Sequence, residues 1–442
     1  MLYQIWCAAP KKDNSQAKPE AYLYNNLTNE VIDPQGNLVD FKSMEAFSHL
    51  EKVRKPAGSQ VFSPQEPVKG KGKVLAALKI QLGMACNYHC KYCMQAAFRK
   101  QGPNMATPET IEAYFKKLDD LGITVSPNGR IELWGGEPLV YWKALQVLIP
   151  KIREKWGNGT MIKMVTNGSL LTHAIVDFLV KYGVTVIISH DGPGFSLRDD
   201  VDPLKVPQKK AVWRYLQQKS REAGVETGFN VVITPQNCDV FKIRDYFFEN
   251  LSPETQFGFE GVVTDAGAQA EGCGFTPESA RTLDSSIFRA LISEPDQWFS
   301  LEHKAQDLMR RIVYRVPASD IQARCESANP KVLVTDLEGR VVSCQNRPST
   351  IYSIGHLSDY DNISNGYFTH WSRRPVCRHC MVLSTCDGSC PHLTDEELSK
   401  CCANEFLFHS AIFGAVWYRL TGMIMLSAHP VWEGNQDESQ PE

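Results

Sequence analysis

Gly83-Met84-Ala85-Cys86-Asn87-Tyr88-His89-Cys90-Lys91-Tyr92-Cys93 sets three cysteines in a Cys-x3-Cys-x2-Cys run. Three thiolates this close together suit three irons of a cubane cluster and leave the fourth iron without a protein ligand, a place for chemistry rather than electron storage alone. Soft sulfur ligands select iron–sulfur clusters or zinc over magnesium or calcium. The competing reading is a zinc knuckle short of one ligand, or cysteines that are simply buried. What surrounds the run decides between them.

A β-rich stretch, 73–82, leads directly into the cysteine loop. After it Thr107 stands as an N-cap, with Pro108 at the first helical position and apolar residues at helical spacing over 109–121. A strand over 131–134 ends in Gly135-Gly136-Glu137-Pro138, about forty residues beyond the cysteines; glycines at a strand end let the backbone approach a ligand closely. Strands over 162–165, 184–189, 231–234 and 257–263 follow. Helices over 141–156 and 172–182 sit between them, each followed by a glycine, Gly157 or Gly183. Strands alternating with helices predict a parallel sheet with right-handed crossovers.

The cysteine spacing, Tyr92 before the third cysteine, and the Gly-Gly-Glu-Pro turn together resemble the radical S-adenosylmethionine (SAM) superfamily. The turn Thr166-Asn167-Gly168 and the stretch Ser189-His190-Asp191-Gly192-Pro193 extend the likeness. The resemblance implies an α/β fold, a partial (β/α)6 TIM-like radical SAM barrel whose strands carry the cluster and SAM at their C-terminal ends. It implies Tyr92, Gly135, Gly136, Glu137, Pro138 and Asn167 as cofactor-binding residues, the glycine turn meeting the SAM ammonium and Asn167 lying near the ribose. Ser189 would hydrogen-bond the SAM carboxylate, and Arg198 would be its charged partner, since guanidinium forks suit carboxylates; the other reading of Arg198 is a solvated loop arginine.

A second cysteine set follows. Cys325 precedes Gly339-x4-Cys344, then Cys377-x2-Cys380-x5-Cys386-x3-Cys390, then Cys401-Cys402. It resembles the SPASM extension, a cysteine-rich C-terminal domain with two auxiliary 4Fe–4S clusters. By that likeness Cys325, Cys344 and Cys390 belong to the first auxiliary cluster and Cys377, Cys380, Cys386 and Cys402 to the second. Cys402 is favoured over Cys401 by the aromatic run that follows it. The fourth ligand of the first auxiliary cluster is left open between Cys273, a residue other than cysteine, and an open iron. Counting the SAM-binding cluster, three 4Fe–4S clusters are expected; the competing reading is a pair of structural zinc sites.

The chain has 442 residues, long enough for a barrel and a smaller domain. The expected organisation is a β-rich extension and linker over 1–72, a core barrel over 73–300, an auxiliary-cluster domain with a C-terminal helix over 301–432, and an acidic tail over 433–442. Short strands are expected over 2–8, 21–24 and 29–32, a turn at Asp33-Pro34-Gln35-Gly36, and a short helix over 43–53. The extension, poor in helices, reads as a cap on the barrel more than as a leader-binding domain. The apolar stretch 406–428 reads as a buried helix stopped by Pro430, since a membrane span tolerates a central Arg419 poorly. A net charge of −3 suggests no nucleic-acid partner. Fourteen cysteines in clusters point to metal in a reducing, cytoplasmic compartment, and no signal peptide or membrane span is expected.

The expected activity is reductive cleavage of SAM, with the 5′-deoxyadenosyl radical driving oxidative modification of a precursor peptide or protein substrate, such as a side-chain cross-link. A reducing partner such as flavodoxin or ferredoxin would supply the electron. Formylglycine formation of the sulfatase-maturase kind is an alternative. In that group an aspartate base follows the Gly-x4-Cys cysteine, and here Gln345 stands there, unable to accept a proton at neutral pH. Glu260 and Asp265 are weak candidates for a replacement base. A small-molecule dehydrogenase and a non-catalytic iron–sulfur electron carrier complete the alternatives; the carrier would have no use for the SAM-type turns.

Overall fold

A computed structural model describes residues 1–10, 18–47, 50, 70–99, 106–263, 270–321, 324–364 and 369–431. Its centre is a run of largely buried strands, as strands covered by crossover helices are. These are β4 (Val74–Gln81), β5 (Thr124–Trp134), β6 (Met161–Thr166), β7 (Val184–Ser189), β8 (Thr227–Ile233) and β9 (Phe257–Val262), counted after three N-terminal strands, β1 (Leu2–Ala8), β2 (Glu20–Asn25) and β3 (Val31–Ile32). β4 to β9 pair in parallel in sequence order. Helices α1 (Pro108–Asp120), α2 (Trp142–Trp156), α3 (His173–Lys181), α4 (Pro207–Ala223), α5 (Val240–Asn250) and α6 (Pro277–Ser293) follow the six strands in turn. The expected (β/α)6 unit is therefore present. Thr107 caps α1 by accepting from Thr110 N–H, with Pro108 in the first turn.

The sheet does not stop at β4. β10 (Val332–Asp336) pairs with β4 in parallel, and β11 (Arg340–Val342) and β12 (Ser353–His356) add antiparallel strands beyond it, giving nine strands in an open order that ends at β12 and β9. The segment holding Cys344 is thus built onto the edge of the barrel sheet. Helix α7 (Phe299–Val313) runs across residue 300.

Two elements differ from expectation. Within 43–53 the described residues, 43–47 and 50, carry only single 3-10 turns, Phe41–Ser43 and Glu45–Phe47, while 48, 49 and 51–53 lie outside the described residues. Asp40 gives no side-chain cap, and the turns are pinned by Phe41 packed edge-on to Phe47, with ring centroids 6.0 Å apart. The expected helix over 406–428 begins earlier and ends sooner: it runs Asp395–Thr421 and stops at Gly422, whose φ of 74° is a left-handed cap that glycine adopts freely. The remainder becomes β13 (Ile424–Val431), antiparallel to β1. Pro430 lies within this strand, tolerated because β13 is at the sheet edge. Among the described residues no helix is long and apolar enough to cross a membrane. The tail 433–442, linker residues 54–69 and Asp265 lie outside the described residues.

β13, β1, β2 and β3 form a four-stranded sheet that rests on the C-terminal helix, with Tyr24 against Phe413 and Tyr22 against Trp417 at 5.2 and 5.6 Å between centroids. Asn26 Nδ2 donates to the carbonyls of Arg378 and Cys380, 3.0 and 2.9 Å away. The N-terminal extension, expected to cap the barrel, instead buttresses the cysteine-rich segment. Trp417 is wholly buried at this joint, and its Nε1–H points at Cys7 Sγ, 3.0 Å away. Trp417→Ala should therefore cost about 3–5 kcal/mol, as emptying a large aromatic site does, seen as a lowered thermal midpoint that Trp417→Phe largely restores.

Candidate functional site

The loop carrying Cys86, Cys90 and Cys93 leaves the C-terminal end of β4 and is held down by the turn at the end of β5. Gly136 N–H donates to Gly83 O at 3.0 Å, and Glu137 N–H to Ala85 O at 2.9 Å. A Cβ on Gly136 would stand 2.3 Å from Met84 O, and one on Gly135 2.6 Å from Gly83 O, so only glycine permits this contact. The buried Glu137 carboxylate accepts from Leu139 N–H, Thr166 Oγ1 and Asn167 N–H at 2.9, 2.6 and 2.7 Å. It braces the turn from within. Burial raises its pKa while the three hydrogen bonds pull it down. Pro138 opens the short 3-10 turn Pro138–Tyr141 and is buried. Asn167 Nδ2 donates to Asn87 Oδ1 at 2.9 Å, tying the end of β6 to the cysteine loop as well.

These elements line one wall of a cavity of about 470 Å³, which holds Cys86, Cys90, Cys93, Tyr92, Gly135, Gly136, Asn167, Ser189 and Arg198. Burial pushes the Cys86 thiol up and that of Cys90 to about 11, and each feels Cys93. Such thiols give up their protons to a metal, not to water. The trio fits a thiolate-held iron–sulfur cluster. Arg198 is no solvated loop residue: its Nη2 donates to Asp191 Oδ1 at 2.8 Å, and its guanidinium lies 5.5 Å from the Tyr92 ring centre. Burial disfavours its charge, but Asp191 and Tyr92 raise its pKa above the usual arginine value. The Arg198 Nε–H is buried without a partner among the described residues, which suits an incoming carboxylate. Tyr92 also donates to the other Asp191 oxygen. Asp191, quoted in the sequence only as part of a motif, is the hub here. Beside it His190 is fully buried; its Nδ1 accepts from Gly192 N–H, so Nε2–H donates to Asp202, both at 3.0 Å.

The same cavity is lined on another side by Cys325, Cys344 and Cys390. Burial pushes the Cys344 thiol to about 11, with Cys390 and Cys325 adding to the rise. Cys273 is not among them: it is buried against Leu197, Val263 and Tyr92, with Lys91 and Asp191 as its charged neighbours. The structure thus brings no fourth cysteine to this trio. Cys377, Cys380, Cys386 and Cys402 form a third group, in which Cys402 raises the pKa of both Cys377 and Cys380, and Cys380 that of Cys386. Cys401 is wholly buried and its Sγ–H points back at Leu398 O, 3.6 Å away.

Glu260 lines the cavity at the end of β9 and accepts from Asn230 Nδ2 at 2.5 Å. A bulge in the β8–β9 register beside it, at Gly261, is the kind of irregularity that re-aims side chains near sites. Gln345 also faces the cavity, and its carbonyl accepts from Gln81 Nε2 at 3.0 Å. Sequence reasoning missed the charged network in which Lys79 lies 3.3 Å from both Glu132 and Glu326 and Arg130 bridges the same two carboxylates. It also missed Arg324, whose guanidinium pairs with the buried Glu405. The spacing of Glu405 and His409, one helical turn apart and just after Cys402, was the signal available for the latter.

Comparison with known proteins agrees. The radical SAM superfamily matches residues 80–237. Over 184 residues, 38 % of this chain, the sequence is 30 % identical to the radical SAM cyclopropyl synthase TigE of Paramaledivibacter caminithermalis, and the match spans 38 % of that relative's own length. It is 21 % identical over 350 residues to a serine-type anaerobic sulfatase-maturating enzyme of Klebsiella pneumoniae, covering 75 % of this chain and 85 % of the relative. A solved structure of anSMEcpe with bound AdoMet and a peptide shares the fold, with a TM-score of 0.55 at 18 % identity, covering 78 % of this chain and 98 % of that one.

The glycine turn gives a direct test. Gly136→Ala should push the cysteine loop away and remove about four irons per reconstituted chain, one cubane's worth. Gly274→Ala, where a Cβ meets nothing within 4 Å and φ is not positive, should keep them. Iron analysis together with the visible absorption band decides.

Proposed function

Because residues 80–237 are a radical SAM domain, we propose that this enzyme cleaves SAM reductively and uses the resulting radical for the oxidative modification of a ribosomally made peptide. The cofactors of the family are a 4Fe–4S cluster and SAM, which together supply a 5′-deoxyadenosyl radical. The chain's own residues bind, orient and shield. In this reading Cys86, Cys90 and Cys93 hold the cluster, the Gly135–Gly136 backbone meets the SAM ammonium, and Ser189 and the free Nε–H of Arg198 take its carboxylate. Cys325, Cys344 and Cys390 hold a first auxiliary cluster in a SPASM-type extension, and Cys377, Cys380, Cys386 and Cys402 a second.

One observation carries the proposal. The radical-site cysteines and the trio Cys325, Cys344 and Cys390 line the same cavity. A substrate there would meet the hydrogen-abstracting centre on one side and an electron acceptor on the other. That arrangement favours net oxidation over a redox-neutral rearrangement. A peptide is favoured because the relative aligned along most of its length, the sulfatase-maturating enzyme, acts on a protein by its name, and because anSMEcpe holds a peptide with its AdoMet.

Formylglycine formation is the second reading, supported by that same coverage. Against it, Gln345 stands where that group carries an aspartate base, and Glu260 is one of four glutamates, with Glu137, Glu326 and Glu405, that line the cavity.

With dithionite the protein should convert SAM to 5′-deoxyadenosine, and Cys90→Ala should not. With a precursor peptide encoded beside it, the product should be lighter by about two hydrogens, as loss of one abstracted hydrogen and a second one requires, and should not react with aldehyde probes. An aldehyde-reactive product would select formylglycine formation. Turnover of a free sugar or amino acid with every encoded peptide left unchanged would overturn the peptide reading.

A further inference from the structure

Beside the C-terminal cysteines lies an ion pair that the four-cysteine group, Cys377, Cys380, Cys386 and Cys402, does not need as a ligand. Arg324 directly precedes Cys325, and its Nη1 pairs with Glu405 Oε1. Glu405 projects from the C-terminal helix and is 2 % exposed. It also accepts from Ser389 Oγ at 3.0 Å, one residue before Cys390. On its far side a Glu405 oxygen, the Cys386 Sγ and a ring nitrogen of His409 all lie within 4.8 Å of one another. One carboxylate–guanidinium pair therefore lies within 4.8 Å of Cys386 of one cysteine group, through Glu405, and reaches the residues directly before Cys325 and Cys390 of the other.

Isolated charges are not placed in such a position without effect. In a buried setting a unit charge a few ångströms from a redox centre is weakly screened. Groups just outside the ligands, together with burial and charge, tune a cluster's potential. An anion beside the cluster opposes uptake of an electron, and a cation favours it. The geometry puts both charges within reach of this cluster: Glu405 offers an oxygen within 4.8 Å of Cys386 Sγ, and Arg324 is paired with the same carboxylate. His409, one helical turn further on, is wholly buried with its Nε2 3.2 Å from Glu405 Oε2.

We propose that the Arg324–Glu405 pair sets the reduction potential of the cluster held by Cys377, Cys380, Cys386 and Cys402, the carboxylate lowering it and the guanidinium raising it; this rests on the three-cluster reading above. Both are positioning residues, acting through the cluster and touching no reacting atom.

The test is a redox titration, followed by electron paramagnetic resonance, of the full reconstituted chain, with Cys386→Ser used to identify which signal belongs to this cluster. Glu405→Gln, which keeps the shape and removes the charge, should raise the potential. Arg324→Gln should lower it, and Arg324→Lys should stay near the parent value. Each shift is expected to change the ratio of reduced to oxidised cluster at fixed potential about tenfold, ~59 mV for a one-electron couple. The double variant Arg324→Gln/Glu405→Gln should return toward the parent. Opposite signs are what a merely structural pair would not produce. Shifts in the same direction, or none, with iron content intact, overturn the proposal while leaving the three-cluster reading standing. Loss of iron in both Glu405→Gln and Arg324→Lys would make the pair a structural clamp and overturns it as well. If the parent protein has no signal that Cys386→Ser removes, the three-cluster reading fails first, and the proposal with it.

Discussion

Everything at the candidate site hangs on one buried carboxylate. Glu137 takes its three hydrogen bonds from its own turn and from the end of β6, while its backbone N–H reaches the cysteine loop. Three chain segments far apart in sequence are locked by a single side chain that water does not reach. A buried carboxylate left without such partners would be costly; here every one of its interactions fixes a backbone that faces the cavity. The glycines before it allow the turn to lie against the loop at carbonyl distance. The geometry of the three thiols is therefore inherited from the sheet, not from the loop that bears them.

Much of this was legible in the sequence because it is local. A strand, a cysteine run and a glycine turn announce themselves by spacing, and the capping of α1 by Thr107 and Pro108 was readable from two residues. The hidden part depends on partners distant in the chain. Nothing near Arg198 in sequence shows that Asp191 and Tyr92 hold it, and nothing near Asn26 shows that it supports Cys380. The apolar stretch after Phe406 read as a single helix because hydropathy does not distinguish a buried helix from a strand that follows it. Gly422 makes that division, and a lone glycine is an ambiguous sign until its φ is known. Glu260 was named from its place at a strand end, and the cavity does contain it. Its bond to Asn230 could not be foreseen.

The polar interior is as informative as the cysteines. Parallel barrels usually fill with branched apolar side chains, yet here Lys79 and Glu326, which line the cavity, join Arg130 and Glu132 in mutual ion pairs. Such a network leaves little net charge, so it offers a substrate shape and hydrogen bonds more than electrostatic attraction. Partner removal would be felt strongly, because a buried charge stripped of its counter-ion is far more costly than the pair is beneficial.

The pairing of β1 with β13 bears on how the molecule is made. β1 precedes every barrel strand in the chain and β13 follows them all, so the sheet that supports Cys380 through Asn26 gains its outer strand only after the barrel has been synthesised. The barrel, by contrast, is built from neighbours in sequence and is ready to form well before. Folding would then follow an order set by translation: the loop of Cys86, Cys90 and Cys93 takes its place first, and the segment around Cys380 last. Nascent chains stalled before β13 would be expected to carry a formed barrel beside an unfinished C-terminal half.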